Sequence, residues 1–225
     1  MGKVAVVAGA AGLVGKELVQ LLLQHPDYER VIALVRRKSG AEQGKLIELV
    51  VSFDRLEQEA SGLMKGADVF CALGTTIKKA KSQEQFRRVD YVYPLQLGEL
   101  GKREGVRSYS VITAMGANEQ SRFFYSRVKG ELETRLAALG LNTLHIFRPS
   151  LLLGDREEFR LGERIGGAAA KPLSFLLNGP LRKYRAIEAT TVAEAMVAAV
   201  QRESNPGVHI YESDRIEQIA KSFAK

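Results

Sequence analysis

The chain of 225 residues contains one cysteine and no tryptophan, and its few histidines lie far apart in the sequence. Because Cys71 stands alone, the chain can form neither an intrachain disulfide nor a cysteine-based metal cage. His25, His145 and His209 show no ligand spacing, so no metal site is predicted. Cys71 and His145 fall in apolar, strand-like runs, and we expect both to be core residues. The lack of disulfides favours a cytoplasmic protein.

Long hydrophobic runs are also lacking. The longest apolar region, residues 141–153, is broken by polar residues and by Pro149, whereas a helix that crosses a bilayer needs about 20 apolar residues. The amino-terminal residues have the pattern of a strand followed by glycines, without the regions of a signal peptide. We therefore expect no membrane association and no secretory signal.

The excess of positive charge is modest and scattered. The sequence has 33 Lys and Arg against 26 Asp and Glu, a formal charge of +7. A protein that binds nucleic acid usually concentrates its basic residues on one face. Here they form only short clusters at 36–38, 78–81 and 182–185. We interpret them as a solvated surface and predict no nucleic-acid partner.

Short apolar runs alternate with segments of helical periodicity along the whole chain. The runs, which are predicted strands, are residues 4–7, 31–35, 46–51, 67–73, 109–113, 144–147 and 208–211. The pattern of a buried strand is clearest in the first of them. This alternation predicts right-handed βαβ units and a parallel sheet. The expected fold is α/β, a single doubly wound Rossmann domain over residues 1–225. Residues from about 154 to 189 are expected to cap the substrate side.

Three helix boundaries can be predicted from local signals. Pro94 interrupts the helical stretch 83–104, so we expect either a kink or a helix start near Val92. Thr191 and Asp214 each precede a glutamate by three residues, the spacing of a capping box. Both are therefore predicted to begin a helix.

Three glycines follow the first predicted strand and open the first helix. Gly9, Gly12 and Gly15 allow a sharp turn and a close approach to a pyrophosphate, and the start of the helix offers free N–H groups. A bare three-glycine pattern would also suit a simple strand-to-helix turn. The buried strand before it and the amphipathic helix after it favour a dinucleotide site.

The end of the second strand indicates which dinucleotide. An acidic residue there would bind the 2′-hydroxyl of NAD, but this chain has Arg36, Arg37 and Lys38. Arginine can bind a 2′-phosphate through charge-assisted hydrogen bonds, which favours NADP. These cations could also simply be solvated. Asp54, after the third strand, is a candidate partner for the adenine amino group.

Tyr125 and Lys129 lie one helical turn apart after the fifth strand, so their side chains share one helix face. A nearby ammonium favours the phenolate, and such a tyrosine can exchange a proton with a carbonyl oxygen while hydride reaches the carbon. Lys129 can also bind the nicotinamide ribose. The hydroxyl of Thr113 could hold the substrate carbonyl. The alternative is an ordinary surface pair on a helix.

Together, the glycine pattern and Tyr125-x-x-x-Lys129 resemble the short-chain dehydrogenase/reductase superfamily, of the extended or atypical kind. The segments 73–76, 89–91, 115–117, 125–131 and 147–149 more closely resemble its Tat-interacting, oxidoreductase-like branch. The resemblance implies one NADP(H)-binding Rossmann domain with Tyr125 and Lys129 as the catalytic pair. The cofactor contacts expected on all these grounds are Gly9, Ala11, Gly12, Leu13, Val14, Gly15, Arg36, Arg37, Asp54, Leu73, Gly74, Thr75, Lys129, Arg148 and Pro149.

The chain departs from the family pattern at three positions. Ala8 replaces the usual threonine before the first glycine, and Thr113 stands where serine is usual. Asp90 occupies the place where extended relatives carry an asparagine, which puts their usual proton relay in doubt.

These features favour an NADP-dependent oxidoreductase acting on a small carbonyl or alcohol, as a monomer or homodimer. The alternative is an NADP(H)-binding regulatory or scaffold protein with a protein partner, suggested by the charged stretch 155–160. An epimerase or dehydratase with tightly bound NAD is disfavoured by Arg36 and Arg37. The sequence names neither the substrate nor the direction of reaction.

Overall fold

A computed structural model of the chain describes residues 2–40, 44–154, 179–202 and 205–223. The strands are β1 Lys3–Ala8, β2 Tyr28–Val35, β3 Leu46–Val50, β4 Asp68–Cys71, β5 Ser108–Ile112, β6 Thr143–Arg148, β7 Leu152–Leu153, β8 Ile187–Glu188 and β9 Gly207–Glu212. The α-helices are α1 Leu13–Gln24, α2 Leu56–Ala60, α3 Ile77–Ala80, α4 Gln83–Arg87, α5 Tyr93–Glu104, α6 Phe124–Ala138, α7 Ala189–Arg202 and α8 Ser213–Ala220. A π-helical turn, Arg88–Val92, joins α4 to α5, and 3₁₀ turns cover Phe53–Arg55 and Gly179–Tyr184.

Seven strands form one parallel sheet in the order β3-β2-β1-β4-β5-β6-β9, while β7 and β8 pair separately. The order reverses direction between β1 and β4, and ligands of such sheets bind beyond the carboxyl ends of the strands at this point. The predicted α/β Rossmann fold class is confirmed. Most of the expected cap, residues 155–178, and the charged stretch 155–160 lie outside the described residues. The cap and the limits of the single domain therefore stay predictions.

Helices cover both faces of the sheet and divide the core into two layers. On one face, α1, α7 and α8 pack against the sheet through side chains such as Leu18, Val197 and Ile216. On the other face, α2, α5 and α6 contribute residues such as Leu97 and Leu132. The inner strands are buried on both faces, which explains why their sequences are continuous apolar runs rather than alternating ones. The edge strands β3 and β9 are instead partly exposed, at Ile47 and Val50 and at Val208 and Ile210.

Both predicted capping boxes are wrong. Helix α7 already begins at Ala189, directly after β8, so Thr191 lies inside its first turn. Helix α8 begins at Ser213 with Glu212 as its N-cap residue, and Asp214 lies in the first turn. Each helix starts where its preceding strand ends, so the geometry of the sheet overrides the local capping signal.

Of the two outcomes expected at Pro94, a kink or a helix start near Val92, the structure shows the second. Val92 is the N-cap residue of α5, and Pro94 occupies its first turn, where a missing N–H costs nothing. The preceding π-helical turn keeps the chain helical up to this point. One of its residues, Asp90, is buried, and π-turns are frequent at functional sites.

His145 lies in the core on β6, where it has no solvent exposure. Its Nδ1 is 3.0 Å from the Tyr211 hydroxyl, and its ring stacks on His209 at 5.3 Å between centroids. Burial, with the charges of His209 and Arg107, lowers the pKa of His145 to about 3. The imidazole is therefore neutral in the folded protein at neutral pH.

This histidine predicts a loss of stability in mild acid. Unfolded histidine titrates near pH 6.5, so the unfolded chain binds this proton first, and stability falls as the pH drops from about 6.5 towards 3. Between pH 7 and pH 5 we expect a loss of about 2 kcal/mol from His145 alone. Urea unfolding at both pH values should show a smaller loss in His145→Phe than in the wild type. An equal loss in both proteins contradicts the prediction.

Candidate functional site

The first strand passes into α1 through the turn formed by Gly9 to Gly12. Gly9 has a φ of +86°, a conformation that favours glycine, and its carbonyl accepts the N–H of Gly12 at 2.8 Å. Gly12 is the N-cap residue of α1 and supplies no side-chain cap. The start of the helix therefore keeps N–H groups and positive dipole charge for an anion.

Glycine is also required here because backbone segments approach one another closely. A Cβ on Gly9 would lie 2.6 Å from the carbonyl carbon of Ala72, at the end of β4. A Cβ on Gly15 would lie 2.0 Å from the carbonyl oxygen of Gly9. The glycine turn can therefore fold against β4 only while both positions lack a side chain.

A cavity of about 1090 Å³ opens beyond the carboxyl ends of β1, β2 and β4. Of the expected cofactor contacts, it is lined by Gly9, Ala11, Gly12, Arg36, Arg37, Leu73, Gly74 and Thr75. The structure thus brings the glycine turn, the arginines after β2 and the loop after β4 together around one space. Leu13, Val14 and Gly15 belong to the first turn of α1 and are not among the lining residues.

Further charged residues line this cavity that the sequence analysis did not single out. Lys16 and Lys79 are cations on its wall, and Glu48 is an acid on β3. The carboxylate of Glu48 accepts the N–H of Ser39 at 2.8 Å, which holds the basic segment 36–38 against β3. No motif spacing connects these positions, so only the fold reveals them.

Asp54 is not among the residues that line this cavity, contrary to the role expected for it beside adenine. Its Oδ1 lies 2.6 Å from Nη2 of Arg88 and accepts the Tyr93 hydroxyl at 3.0 Å. The hydrogen bond from Arg88 holds the pKa of Asp54 below its usual value. The carboxylate is therefore already engaged, while Tyr93 itself reaches the cavity wall.

Tyr125 and Lys129 lie in the first two turns of α6 in contrasting environments. Tyr125 is 38% exposed, and its ring rests on that of buried Phe86 at 5.6 Å between centroids. Lys129 is buried. Burial alone lowers the pKa of Lys129, but the charge interactions with Asp90 and Tyr125 outweigh it, and the pKa is raised. Lys129 is therefore a buried ammonium.

The counterion of this ammonium is Asp90. Its Oδ1 lies 2.8 Å from Nζ of Lys129, and its Oδ2 accepts the N–H of Thr75 at 2.9 Å. Asp90 therefore connects the catalytic candidates on α6 to the loop that lines the cavity. In the sequence alone, Asp90 stands out only as a departure from the family pattern.

The first turns of α6 pack closely against the loop after β5. A Cβ on Gly130 would lie 2.2 Å from the carbonyl carbon of Asn118, in the loop after β5. The N–H of Asn118 donates to the carbonyl of Ser126 at 3.0 Å. This packing sets the height of Tyr125 relative to the ends of the strands.

Thr113 and Arg148 belong to a separate polar network. The Thr113 hydroxyl donates to Oε1 of Glu133 at 2.5 Å, and Arg148 binds the same carboxylate through Nε at 3.1 Å. Arg148 also reaches Glu212 at 3.2 Å. A buried carboxylate needs such partners, and both side chains satisfy Glu133 in this structure. Their expected roles towards substrate and cofactor stay predictions. Pro149 accepts the N–H of Met115 through its carbonyl at 3.0 Å.

A family model described as NAD(P)H-binding matches residues 9–203. The chain belongs to this NAD(P)H-binding family. It is 33% identical over 219 residues to Protein HTATIP2 of Rattus norvegicus, covering 96% of this chain and 88% of that protein. It is also 31% identical over 230 residues to Protein FMP52-1, mitochondrial, of Scheffersomyces stipitis, covering 97% and 99%. The resemblance to the atypical short-chain dehydrogenase/reductase superfamily is confirmed.

Solved structures in this superfamily share the fold at low sequence identity. MoeE5 in complex with UDP-glucose and NAD superposes with a TM-score of 0.69 at 15% identity, covering 99% of this chain and 81% of that one. The human epimerase family protein SDR39U1 (isoform 2) with NADPH gives 0.59 at 18% identity, covering 99% and 80%. Members with this architecture thus hold either dinucleotide, and the likeness itself concerns the fold alone.

The expected cytoplasmic location is wrong. The Scheffersomyces stipitis relative is named as a mitochondrial protein, as is one from Emericella nidulans that is 32% identical over 230 residues. The expectation rested on the single cysteine, and a missing disulfide does not distinguish one reducing compartment from another. Among the described residues, no helix combines the length and apolar character of a membrane span.

The close packing of the glycine turn predicts that one added methyl group at Gly15 strongly weakens nucleotide binding. In Gly15→Ala the new Cβ must displace the Gly9 carbonyl, which opens the turn. We expect the dissociation constant for NADPH, measured by fluorescence titration, to rise at least about tenfold, with a stability loss of about 1–3 kcal/mol.

The matched control is Gly101→Ala, another helical glycine, whose Cβ would lie nearest to the side chain of Val106, with Cγ1 at 3.2 Å. It should leave NADPH affinity unchanged. Equal affinities of both variants for NADPH would show that the turn does not shape the site.

Proposed function

We propose that the protein is an NADP-dependent oxidoreductase acting on a small carbonyl or alcohol, with Tyr125 as its acid and base. The observation that carries this proposal is the pairing of Tyr125 with the buried Lys129 ammonium on one face of α6. Asp90 ties that ammonium to the loop lining the cavity. A site that only held a nucleotide could use the Lys129 cation to bind the ribose, but it would not need the partly exposed phenol of Tyr125 beside that cation.

The residues around the cavity fit a dinucleotide. The glycine turn permits close backbone approach, and the uncapped start of α1 favours a pyrophosphate. When bound, the nicotinamide supplies or accepts hydride at the substrate carbon. Tyr125 gives its phenol proton to the carbonyl oxygen in reduction and removes the alcohol proton in oxidation. The positive charge of Lys129 stabilises the phenolate that forms.

The preference for NADP rests on Arg36 and Arg37, which line the cavity beyond β2. A 2′-phosphate carries negative charge and several acceptor oxygens, and a guanidinium matches both. Lys38 and Lys79 add positive charge to the same walls, while Glu48 is engaged by the Ser39 N–H.

The catalytic role of Tyr125 is tested by removing one oxygen. Tyr125→Phe keeps the ring on Phe86 but cannot donate a proton, so kcat with NADPH and a panel of small aldehydes and ketones should fall at least about 100-fold. NADPH affinity should stay within about twofold, because the phenol is not needed for nucleotide binding. Turnover is followed by NADPH absorbance.

The control is Tyr91→Phe, which keeps its ring beneath the Arg87 guanidinium, 4.3 Å from the ring centroid. Its kcat should equal that of the wild type. Turnover that survives Tyr125→Phe rules out the assignment. Tight NADPH binding without turnover of any carbonyl by the wild type would instead support the alternative, an NADP(H)-binding regulatory or scaffold protein.

Cofactor choice is tested by exchanging the arginines after β2. In Arg36→Ala/Arg37→Ala the 2′-phosphate loses its charge-assisted hydrogen bonds, and the dissociation constant for NADPH should rise about 10- to 100-fold. The constant for NADH should change little, since NADH lacks that phosphate. Arg30→Ala, at the opposite end of β2 and exposed, should leave both constants unchanged. Equal weakening of NADPH and NADH would mean that the arginines do not select the cofactor.

A further inference from the structure

We propose that Asp90 is a positioning residue whose two carboxylate oxygens tie the Lys129 ammonium to the cofactor-binding loop after β4. The proposal rests on the function proposed above for Tyr125 and Lys129. It assigns a specific task to the residue by which this chain departs from extended relatives of the superfamily.

The two oxygens of Asp90 bind different parts of the site. Oδ1 lies 2.8 Å from Nζ of Lys129, and Oδ2 accepts the N–H of Thr75 at 2.9 Å. Asp90 is only 1% exposed, and the Lys129 side chain only 4%. The ion pair with Lys129 is therefore shielded from water, whereas the hydrogen bond from Thr75 is part-buried at the cavity wall.

No other carboxylate takes this place beside Lys129 among the described residues. The strongest electrostatic interactions of its ammonium are those with Asp90, the phenol of Tyr125 and the thiol of Cys71 on β4. Burial raises the pKa of the Cys71 thiol, which keeps it neutral. A buried ammonium without a counterion is strongly disfavoured and tends to lose its proton. The charge of Lys129 therefore depends on Asp90.

The contact with Thr75 gives the same carboxylate a second role. Gly74 and Thr75 line the cavity, and a Cβ on Gly74 would lie 3.5 Å from Oδ1 of Asp90. The loop that faces the nucleotide is thus held by the residue that holds the catalytic lysine. An asparagine could keep the hydrogen bond from Thr75 but could not neutralise Lys129.

This difference between charge and hydrogen bonding defines the experiment. In Asp90→Asn, the Lys129 pKa should fall by at least about two units. The ¹³Cε resonance of Lys129 should then titrate at lower pH than in the wild type. This resonance is assigned by its absence from the spectrum of Lys129→Met. NADPH affinity should stay within about twofold, because the Thr75 contact is kept, whereas kcat should fall at least about tenfold with its high-pH limb moved to lower pH. In Asp90→Ala, NADPH affinity should also weaken, by about fivefold or more.

The control is Glu131→Gln. Glu131 pairs with Arg87 at 2.5 Å, an ion pair between α6 and the end of α4, without contacting Lys129. The Lys129 titration and kcat should match those of the wild type. If Asp90→Asn folds poorly, its melting temperature provides a second measurement. Adding Lys129→Met removes the unpaired charge, so the double variant should melt at a higher temperature than Asp90→Asn alone.

The experiments distinguish a failure of the Asp90 proposal from a failure of the proposed reaction. An unchanged ¹³Cε titration of Lys129 in Asp90→Asn, or a double variant no more stable than the single one, overturns the positioning role. Absence of turnover in the wild type overturns the proposed reaction, while the Lys129 titration and the NADPH affinities still decide the role of Asp90. A kcat and pH profile of Asp90→Asn equal to those of Glu131→Gln would reduce Asp90 to a structural residue.

Discussion

The ammonium of Lys129 is buried in the protein interior, and its need for a counterion governs how the candidate site is assembled. Asp90 meets this need from the π-helical turn between α4 and α5. A π-turn adds a residue to the helix without ending it, which changes the faces on which the following side chains emerge. The same carboxylate also binds the N–H of Thr75, so the loop after β4, the α4–α5 junction and α6 meet at one charge pair.

The glycine turn imposes the second constraint, and it acts through shape rather than charge. Gly9 lets the turn pack against Ala72 at the end of β4, and Gly15 lets the first turn of α1 pack against the backbone of Gly9, with no room for a side chain at either position. The start of α1 and the loop after β4 therefore face the same cavity from adjacent strands. A nucleotide in this space would contact the turn directly. It would be linked to Lys129 through the loop after β4, which Asp90 holds.

The sheet could be predicted from the sequence because buried parallel strands are apolar on both faces. Runs such as 4–7 and 109–113 needed no long-range information, and the glycine loop and Arg36 followed from their place at strand ends. The site was less predictable. Whether Thr113 faces a substrate depends on Glu133, 20 residues away in sequence, and spacing alone does not reveal that contact.

Contacts distant in sequence decide the surroundings of other residues as well. Asp54 lies after β3 as expected, but Arg88 of the π-helical turn and Tyr93 at the start of α5, 34 and 39 residues later, engage its carboxylate. The capping-box spacings at Thr191 and Asp214 are valid local signals, but each helix begins directly after its preceding strand and not at the predicted residue. For these two helices, the position of the preceding strand outweighed a capping signal worth about 1 kcal/mol.

Helix α6 shows how these contacts orient the proposed catalytic tyrosine. Lys129 and Glu133 stand four residues apart with opposite charges, the spacing at which such residues commonly pair with each other on a helix. Here each is buried and binds a neighbour: Lys129 binds Asp90, whereas Glu133 binds Thr113 and Arg148 at the ends of β5 and β6. Rotation of α6 about its axis would leave Lys129 or Glu133 buried without its partner. The direction of Tyr125, in the same helix, is therefore set by two buried charges rather than by apolar packing alone.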